Sequence, residues 1–493
     1  MRLAHARPLR ASAFLATAAI LLLSGCMVGP KYKQPAVPLA PGFKETPPSS
    51  FKESDGWKTA QPNDQALRGD WWTIFGDPQL NALEVQVDSA NQDLKVAEAN
   101  FRAARAAIRF YRASEAPTIS TAPGIQSLRA SSNQPYFNSS KPNSTTGDFT
   151  LPFDLSYEID LWGRIRRSVT SAREQAQASA ADLETARLSL HAELAIDYFE
   201  VRSADAQIKL LDETVKTYTE ALQLTQDRYE GGVAPESDVA QAHTQLETAR
   251  VQDTDITIQR AEFEHAIAVL VGKPPAALDL PITPLTVQPP ALPEVPGLLP
   301  SQLLERRPDI AASERRMASA NEQIGIAQAA FYPTLSLGAA AGFMGTSALN
   351  WFTWPSRFWA VGPQLSETLF DAGRRRASSD ITIANYDATV ASYRQTSLTA
   401  FQQVEDSLAA LRVLETEQQQ QRQATLAAEQ SLDLFQTRYQ GGVDTYLQVV
   451  TWQTAALQNE RNDIDLIRRR LEASVLLMKA VGGGWSIQQL PKL

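Results

Sequence analysis

Hydrophobic positions recur along this chain in two rhythms. Between residues 148 and 162 they alternate, with Phe153, Leu155, Tyr157, Ile159 and Leu161 standing between Asp154, Ser156, Glu158 and Asp160. A period of two makes a strand with one apolar and one polar face. Residues 117–130 read as a second strand, joined to the first by a long polar loop at 131–147. A matching hairpin is predicted over 333–371, where Leu335, Leu337, Ala339, Ala341 and Phe343 alternate with mostly small or polar residues. Its second strand, ending at Phe370, is less regular, because Glu367 falls on the side of Leu365 and Leu369. The flanking helices leave no layer to cover such a sheet, which favours a membrane barrel with a polar lumen. In that register Asp154, Glu158 and Asp160 face the lumen and predict a cation-preferring pore. Trp351, Phe352, Trp354 and Trp359 between the second pair of strands suit an aromatic belt or a packed cap.

The second rhythm is helical. Leu80, Leu83, Val87, Leu94 and Phe101 are spaced for one helix from Gln79 to Ala113, which Pro117 stops. From Arg164 to Tyr229 neither proline nor glycine interrupts 66 residues, which as helix would span roughly 100 Å. Leu211, Val215, Tyr218, Leu222 and Tyr229 form a coiled-coil seam on it. Gly231 and Gly232 end the helix and permit reversal into a second, from about 236 to 271. Its seam holds Val239, Ala242, Leu246, Ala249, Ile256, Phe263, Ile267 and Leu270. Each long helix is nearly twice the length of its shorter partners, so two short helices can stack end to end along one long one.

This succession occurs twice. Arg228-Tyr229-Glu230-Gly231-Gly232-Val233 returns 210 residues later as Arg438-Tyr439-Gln440-Gly441-Gly442-Val443. Gly163-Arg164 matches Gly373-Arg374 and Val271-Gly272 matches Val481-Gly482 at the same offset. The chain is a tandem duplication. Repeat one covers 69–272 (helix, hairpin 117–162, long helix 164–229, tip 230–235, helix 236–271). Repeat two covers 301–482 (helix from near Ser301, hairpin 333–371, long helix 374–439, tip 440–445, helix 446–481). A connector at 273–300 carries nine prolines, and 483–493 is a tail. Residues 26–68, rich in proline and lysine, read as an extended tether with no core of its own.

The N-terminus adds an address. Arg2, Arg7 and Arg10 precede an apolar run at 11–23 that closes on Leu23-Ser24-Gly25-Cys26, a secretory signal over 1–25. Cys26 is the one cysteine, so neither a disulfide framework nor a thiolate metal site is available. The net charge of −9 argues against nucleic acid as a partner. Losing the three leader arginines takes the mature charge to about −12. No apolar run of transmembrane length follows the leader.

Candidate chemistry is sparse. His191, His243 and His265 lie on helices without partners at metal-ligand spacing, and no nucleophile elbow, phosphate loop or dinucleotide fingerprint is present. Glu405-Asp406 reads as a solvated helix face. Trp71, Trp72 and Phe75 read as packing against the first helix rather than as a stacking platform. Neither enzyme, metal nor cofactor is expected. The arginines at 164, 166 and 167 and at 374–376 sit where strand passes into helix, where they oppose the helix dipole. They are expected to pair with Asp160 and Asp371 or to meet lipid headgroups.

Leu23-Ser24-Gly25-Cys26 resembles the bacterial lipoprotein box. Together with Gly29-Pro30, Lys31-Tyr32 and Trp71-Trp72-x-x-Phe75-Gly76-Asp77-Pro78-Gln79-Leu80, it resembles the outer membrane factor (TolC-like) family, and within it the NodT-type efflux lipoproteins. Tyr332-Pro333-Thr334-Leu335, Phe370-Asp371-Ala372-Gly373-Arg374 and Tyr439-x-Gly441-Gly442-Val443-Asp444 extend the resemblance over the mature chain. It implies lipidation at Cys26, with Met27 after it favouring sorting to the outer membrane of a Gram-negative cell. It implies a mainly α fold with a membrane β-barrel contribution: a homotrimer whose long coiled-coil helices form an α-barrel tunnel. Four strands per chain cannot close a barrel, whereas three chains supply twelve.

The implied function is the exit duct of a tripartite, RND-type efflux system, served by a periplasmic adaptor and an inner-membrane pump. A type I secretion or metal-efflux duct, or a periplasmic lipoprotein scaffold without a pore, is the alternative. In the family an iris of helices closes the duct near the tips, here the turns at Gly231, Gly232, Gly441 and Gly442. The family's Leu-x-x-x-Asp gate motif maps to Leu447 and, departing from it, Thr451. Asp238 is expected either to supply a constriction charge or to serve as a helix N-terminal acid.

Overall fold

The computed structural model describes residues 27–37, 42–45, 70–129, 131, 145–285, 304–484, 489–491 and 493; Cys26 and the leader lie outside them. A 3-10 turn at Trp71–Phe75 leads into α1 (Pro78–Ala90) and α2 (Gln92–Arg112). Strands β1 (Thr118–Thr121), β2 (Gly124–Leu128) and β3 (Thr146–Ile159) follow. Next come the 67-residue α3 (Arg164–Glu230) and α4 (Glu236–Leu270). Repeat two supplies α5 (Pro308–Ala329), β4 (Thr334–Gly345), β5 (Arg357–Ser366), the 67-residue α6 (Arg374–Gln440) and α7 (Tyr446–Ala480).

The opening motif is a capping device. Gly76, at φ 63, ends the 3-10 turn; Asp77 then accepts the backbone N–H groups of Gln79 and Leu80, and Pro78 occupies the first helical position. The other Asp77 oxygen accepts the Tyr198 hydroxyl at 2.7 Å, tying the cap to α3. Trp71, Trp72 and Phe75 are buried with Leu80, Val87, Leu194, Phe199, Ile267, Leu471 and Val475, the core that holds the waist of the molecule.

The helices form a wall one layer thick. Toward the sheet the packing order is α2, α3, α5, α6; toward the tips it is α4, α3, α7, α6. The repeated Val-Gly pair marks where the short helices abut. A Cβ on Gly272 would lie 2.4 Å from the Ala90 carbonyl oxygen, and one on Gly482 would lie 2.1 Å from that of Arg306. Only glycine lets these backbones approach so closely.

Several expectations are corrected. The helix predicted over 79–113 breaks at Asn91, whose side chain accepts from Leu94 N–H and donates to the Leu270 carbonyl, each at 2.9 Å. A buried asparagine satisfied in this way stabilises a new cap and not a continuous helix. The strand over 117–130 is two strands, split at Ala122-Pro123, because proline lacks the ladder N–H. Strand β5 ends at Ser366, so Glu367 falls outside the sheet and its conflict with the apolar side disappears. The helix expected from near Ser301 is interrupted: residues 304–306 are helical, Arg307 is extended (φ −100, ψ 122), as the residue before proline requires, and α5 starts at Pro308, while 301–303 lie outside the described residues. On the α3 seam Leu211 and Tyr218 are buried, whereas Tyr229 is exposed.

The N-terminal tether is the largest correction. Residues 27–37 and 42–45 are docked on the wall. Val28 N–H donates to the Trp162 carbonyl, the Tyr32 hydroxyl donates to Glu314, and Gln34 donates to Tyr393. Further along, Lys44 and Glu45 N–H groups both donate to Glu405, and Glu45 pairs with Arg412. Arg167, buried, donates to the Val28 carbonyl at 2.7 Å while pairing with Glu322 at 2.7 Å.

Candidate functional site: a one-sided sheet and two helical tips

The sheet runs β1–β3–β4–β5, all antiparallel, with β2 continuing the β1 edge on β3. Its register gathers Ile119, Phe153, Leu155, Tyr157, Leu335, Leu337, Trp359, Val361 and Leu365 on one face. Ser120, Asp154, Ser156, Glu158, Ser336, Gly338 and Gln364 share the other. Ile119, Phe153, Trp359, Val361 and Leu365 are exposed within the chain. Large side chains left uncovered on one whole face of a sheet require an apolar surrounding. Aromatic residues mark both ends: Trp351 stacks on Phe352 beside Phe149 at one, and Trp162 stacks on Tyr332 at 4.7 Å at the other.

At the helix end the sheet's acids are partly consumed. Glu158 accepts both Arg164 nitrogens (2.9 and 2.6 Å), and Asp160 pairs with Arg166 at 3.2 Å. The acidic lumen face read from sequence is therefore reduced to Asp154, which stays exposed. Asp371 pairs with Arg375 at 2.7 Å, which holds its carboxyl below the usual range.

The two tips share one backbone design. Gly232 N–H reaches the Tyr229 carbonyl and Val233 N–H reaches that of Arg228; Gly442 and Val443 do the same to Tyr439 and Arg438. Gly232 (φ 73) and Gly442 (φ 75) take the left-handed position of a Schellman cap, preceded by Gly231 and Gly441. The side chains differ. Tyr439 and Tyr446 are buried together with Ala242 and Val449, their rings 5.2 Å apart. Arg228 from the other tip lies 4.7 Å over the Tyr439 ring and donates to the Gln440 carbonyl at 3.1 Å. Burial raises the Asp238 pKa, opposed by the charge of Arg228.

Leu447 and Thr451 lie one turn apart on the exposed side of α7, where the Thr451 hydroxyl donates to the Leu447 carbonyl at 2.8 Å. Asp238 is separated from that exposed side: it is buried in the first turn of α4. Sequence reasoning passed over Arg228, Tyr439 and Tyr446 as tip-bridging residues. Their signal was the repeat itself, since Tyr439 matches exposed Tyr229 but is buried. Of the three helical histidines, His191 is buried in the core, with Nδ1 2.6 Å from Glu84 and its ring stacked on Trp72.

A sheet built for an apolar surrounding and continued by a helical wall defines an outer-membrane channel. A family model described as outer membrane efflux protein matches residues 83–273 and 299–483. The chain is 33% identical over 476 residues to the toluene efflux pump outer membrane protein TtgF of Pseudomonas putida, covering 96% of this chain and 97% of that one. It is 31% identical over 469 residues to the outer membrane protein OprJ of Pseudomonas aeruginosa, covering 94% of each. The solved outer-membrane channel OprN superposes with a TM-score of 0.82 at 28% identity, over 93% of this chain and 100% of that chain. The chain belongs to the outer membrane efflux protein family. It is an outer-membrane component of an efflux system, a channel working with pump partners.

Proposed function

We propose that three copies close into a twelve-stranded barrel and a continuous helical tunnel, the exit duct of an RND-type tripartite efflux machine. One observation carries this reading: the protomer is open at both sides. The sheet ends at β1 and β2 on one side and β5 on the other, and the wall ends at α2 and α4 on the first side and α6 on the second. Unpaired strand edges are not tolerated in lipid, so the edges of successive copies must meet head to tail until a ring closes. Lipidation at Cys26 adds an anchor, and Met27, the first residue after it, packs on Gly163 at the strand-to-helix junction.

The tips around Gly231, Gly232, Gly441 and Gly442 meet a periplasmic adaptor, which couples the duct to an inner-membrane pump. The cargo is small organic molecules of the kind named for TtgF, driven by the pump and not by the duct. Leu447 and Thr451 line the narrowest aperture. Asp238 acts behind them, facing Arg228, whose contacts to Tyr439 and the Gln440 carbonyl must part for the tips to separate. In planar bilayers the purified protein is expected to conduct weakly as a trimer, and Leu447→Ala is expected to raise single-channel conductance severalfold. Unchanged conductance removes Leu447 from the gate; a mass of one chain removes the ring.

A further inference from the structure

The two strand-to-helix junctions are copies of one another, and one of them has lost its anions. At the 210-residue offset Arg164 and Arg166 correspond to Arg374 and Arg376, but Glu158 and Asp160 correspond to Thr368 and Phe370. In repeat one the two acids take up both arginines, and Asp160 also caps the helix by accepting the N–H groups of Ile165 and Arg166. In repeat two the capping acid has moved to Asp371, which accepts the N–H groups of Gly373 and Arg375 and pairs with the Arg375 side chain. Arg374 and Arg376 remain exposed, with no acidic partner among the described residues. Beside them Leu369 and Phe370 stand 88% and 86% exposed, and Ala372 is held at φ 52.

Neither arginine serves the helix, since cations in a first turn oppose its dipole. A left-handed alanine is strained and is kept only where its surroundings demand it. The junction presents three arginines against Asp371, which pairs with Arg375, and the exposed Glu367, beside an apolar ledge at the end of the sheet where Trp162 stacks on Tyr332. We infer that Arg374 and Arg376, with Leu369 and Phe370, form a binding site for an anionic phospholipid of the inner leaflet. The two guanidinium groups take the headgroup phosphate and the ledge takes the first acyl carbons. The inference rests on the reading above in placing this junction at the membrane's periplasmic boundary, and it needs Arg374 and Arg376 to stay clear of the next copy, which meets this protein along the side of β5 and α6.

The test uses the full-length protein, delipidated in detergent and titrated with phosphatidylglycerol, with native mass spectrometry counting bound lipid and subunits together. Each basic residue near a charged lipid surface contributes about fivefold, so Arg374→Gln with Arg376→Gln is expected to weaken phosphatidylglycerol binding roughly thirtyfold. Thr368→Glu with Phe370→Asp restores the acids of repeat one and is expected to do the same while keeping both arginines. Arg164→Gln is expected to change binding less than about twofold, and phosphatidylcholine to bind weakly throughout. Full retention in both double variants overturns the proposal. So does loss of the oligomer with lipid binding per chain unchanged, which would give the arginines to a second copy. Equal competition by inorganic phosphate overturns it too. A wild-type monomer that still binds phosphatidylglycerol supports the site while removing the ring.

Discussion

The two repeats have the same skeleton and different interiors. Their long helices are both 67 residues and their tip-side helices both 35, with identical Schellman turns between them. Against this, Arg167 corresponds to Ala377 and His191 to Phe401. At these two positions repeat one carries buried contacts, to Glu322 in α5 and to Glu84 in α1, where repeat two carries alanine and phenylalanine. Backbone geometry is what a closed tube demands of every segment, so it is shared. Side chains are free to specialise, and the strap is fastened across both halves: at Trp162 and Arg167 in repeat one, and at Glu314, Tyr393, Glu405 and Arg412 in repeat two.

Breaking the strongest fastening tests this division. Arg167→Ala leaves Glu322 buried without its cation and the Val28 carbonyl without its donor, and is expected to cost about 3 to 5 kcal/mol. A lowered thermal midpoint and faster proteolysis within residues 27–45 would register it. Removing Arg412 from the far end of the strap should cost under about 1 kcal/mol, because that pair is half-exposed. Equal effects from the two variants would mean that the strap is not fastened mainly at Arg167.

Importing the repeat-two residue comes next. His191→Phe alone strands Glu84 in the core and is expected to cost about 1 to 3 kcal/mol, recovered when Glu84→Leu is added. Burial pushes the Glu84 carboxyl up to about 7, against the pull of His191. A raised acid holds its proton in the fold, so this contribution is present below about 4.5 and is lost as the pH rises through about 7. Wild type should lose stability relative to Glu84→Gln across that interval, as followed by thermal melts; parallel curves would show that Glu84 is not the titrating group.

The shared skeleton predicts equality at the tips. Gly232→Ala and Gly442→Ala meet no atom within 4 Å, so each should cost only the left-handed penalty of about 1 to 2 kcal/mol. Unequal losses would mean that the tips are energetically distinct despite matching hydrogen bonds. The smallest effect is expected at the repeat-two junction, where Ala372→Gly relieves the positive φ and should stabilise by under about 1 kcal/mol.

Much of this was legible because periodicity and duplication are properties of long segments. Sixty-six residues without proline or glycine, and strands alternating over five pairs, leave few other readings. What was missed depended on single residues whose partners lie far along the chain. Asn91 breaks its helix because Leu270 is there to receive its amide, 179 residues away. The strap looked like a tether because prolines and lysines show no periodicity; its docking rests on Arg167 and Glu314, which belong to other elements. Asp238 was readable as a first-turn acid, but its burial beside Arg228 required the two tips to be placed together.

The open sides of the protomer carry a consequence for how such a duct can be made. A single chain has two bare strand edges among the described residues, and an open row of any length keeps two, one at each end, because each joining event covers one edge on either partner. Each added copy covers two edges, yet an open row always keeps its last two, and only closure covers those. On the proposed ring, a membrane that rejects bare edges would admit the closed form and discriminate against every open row, which would make insertion itself a proofreading step for closure.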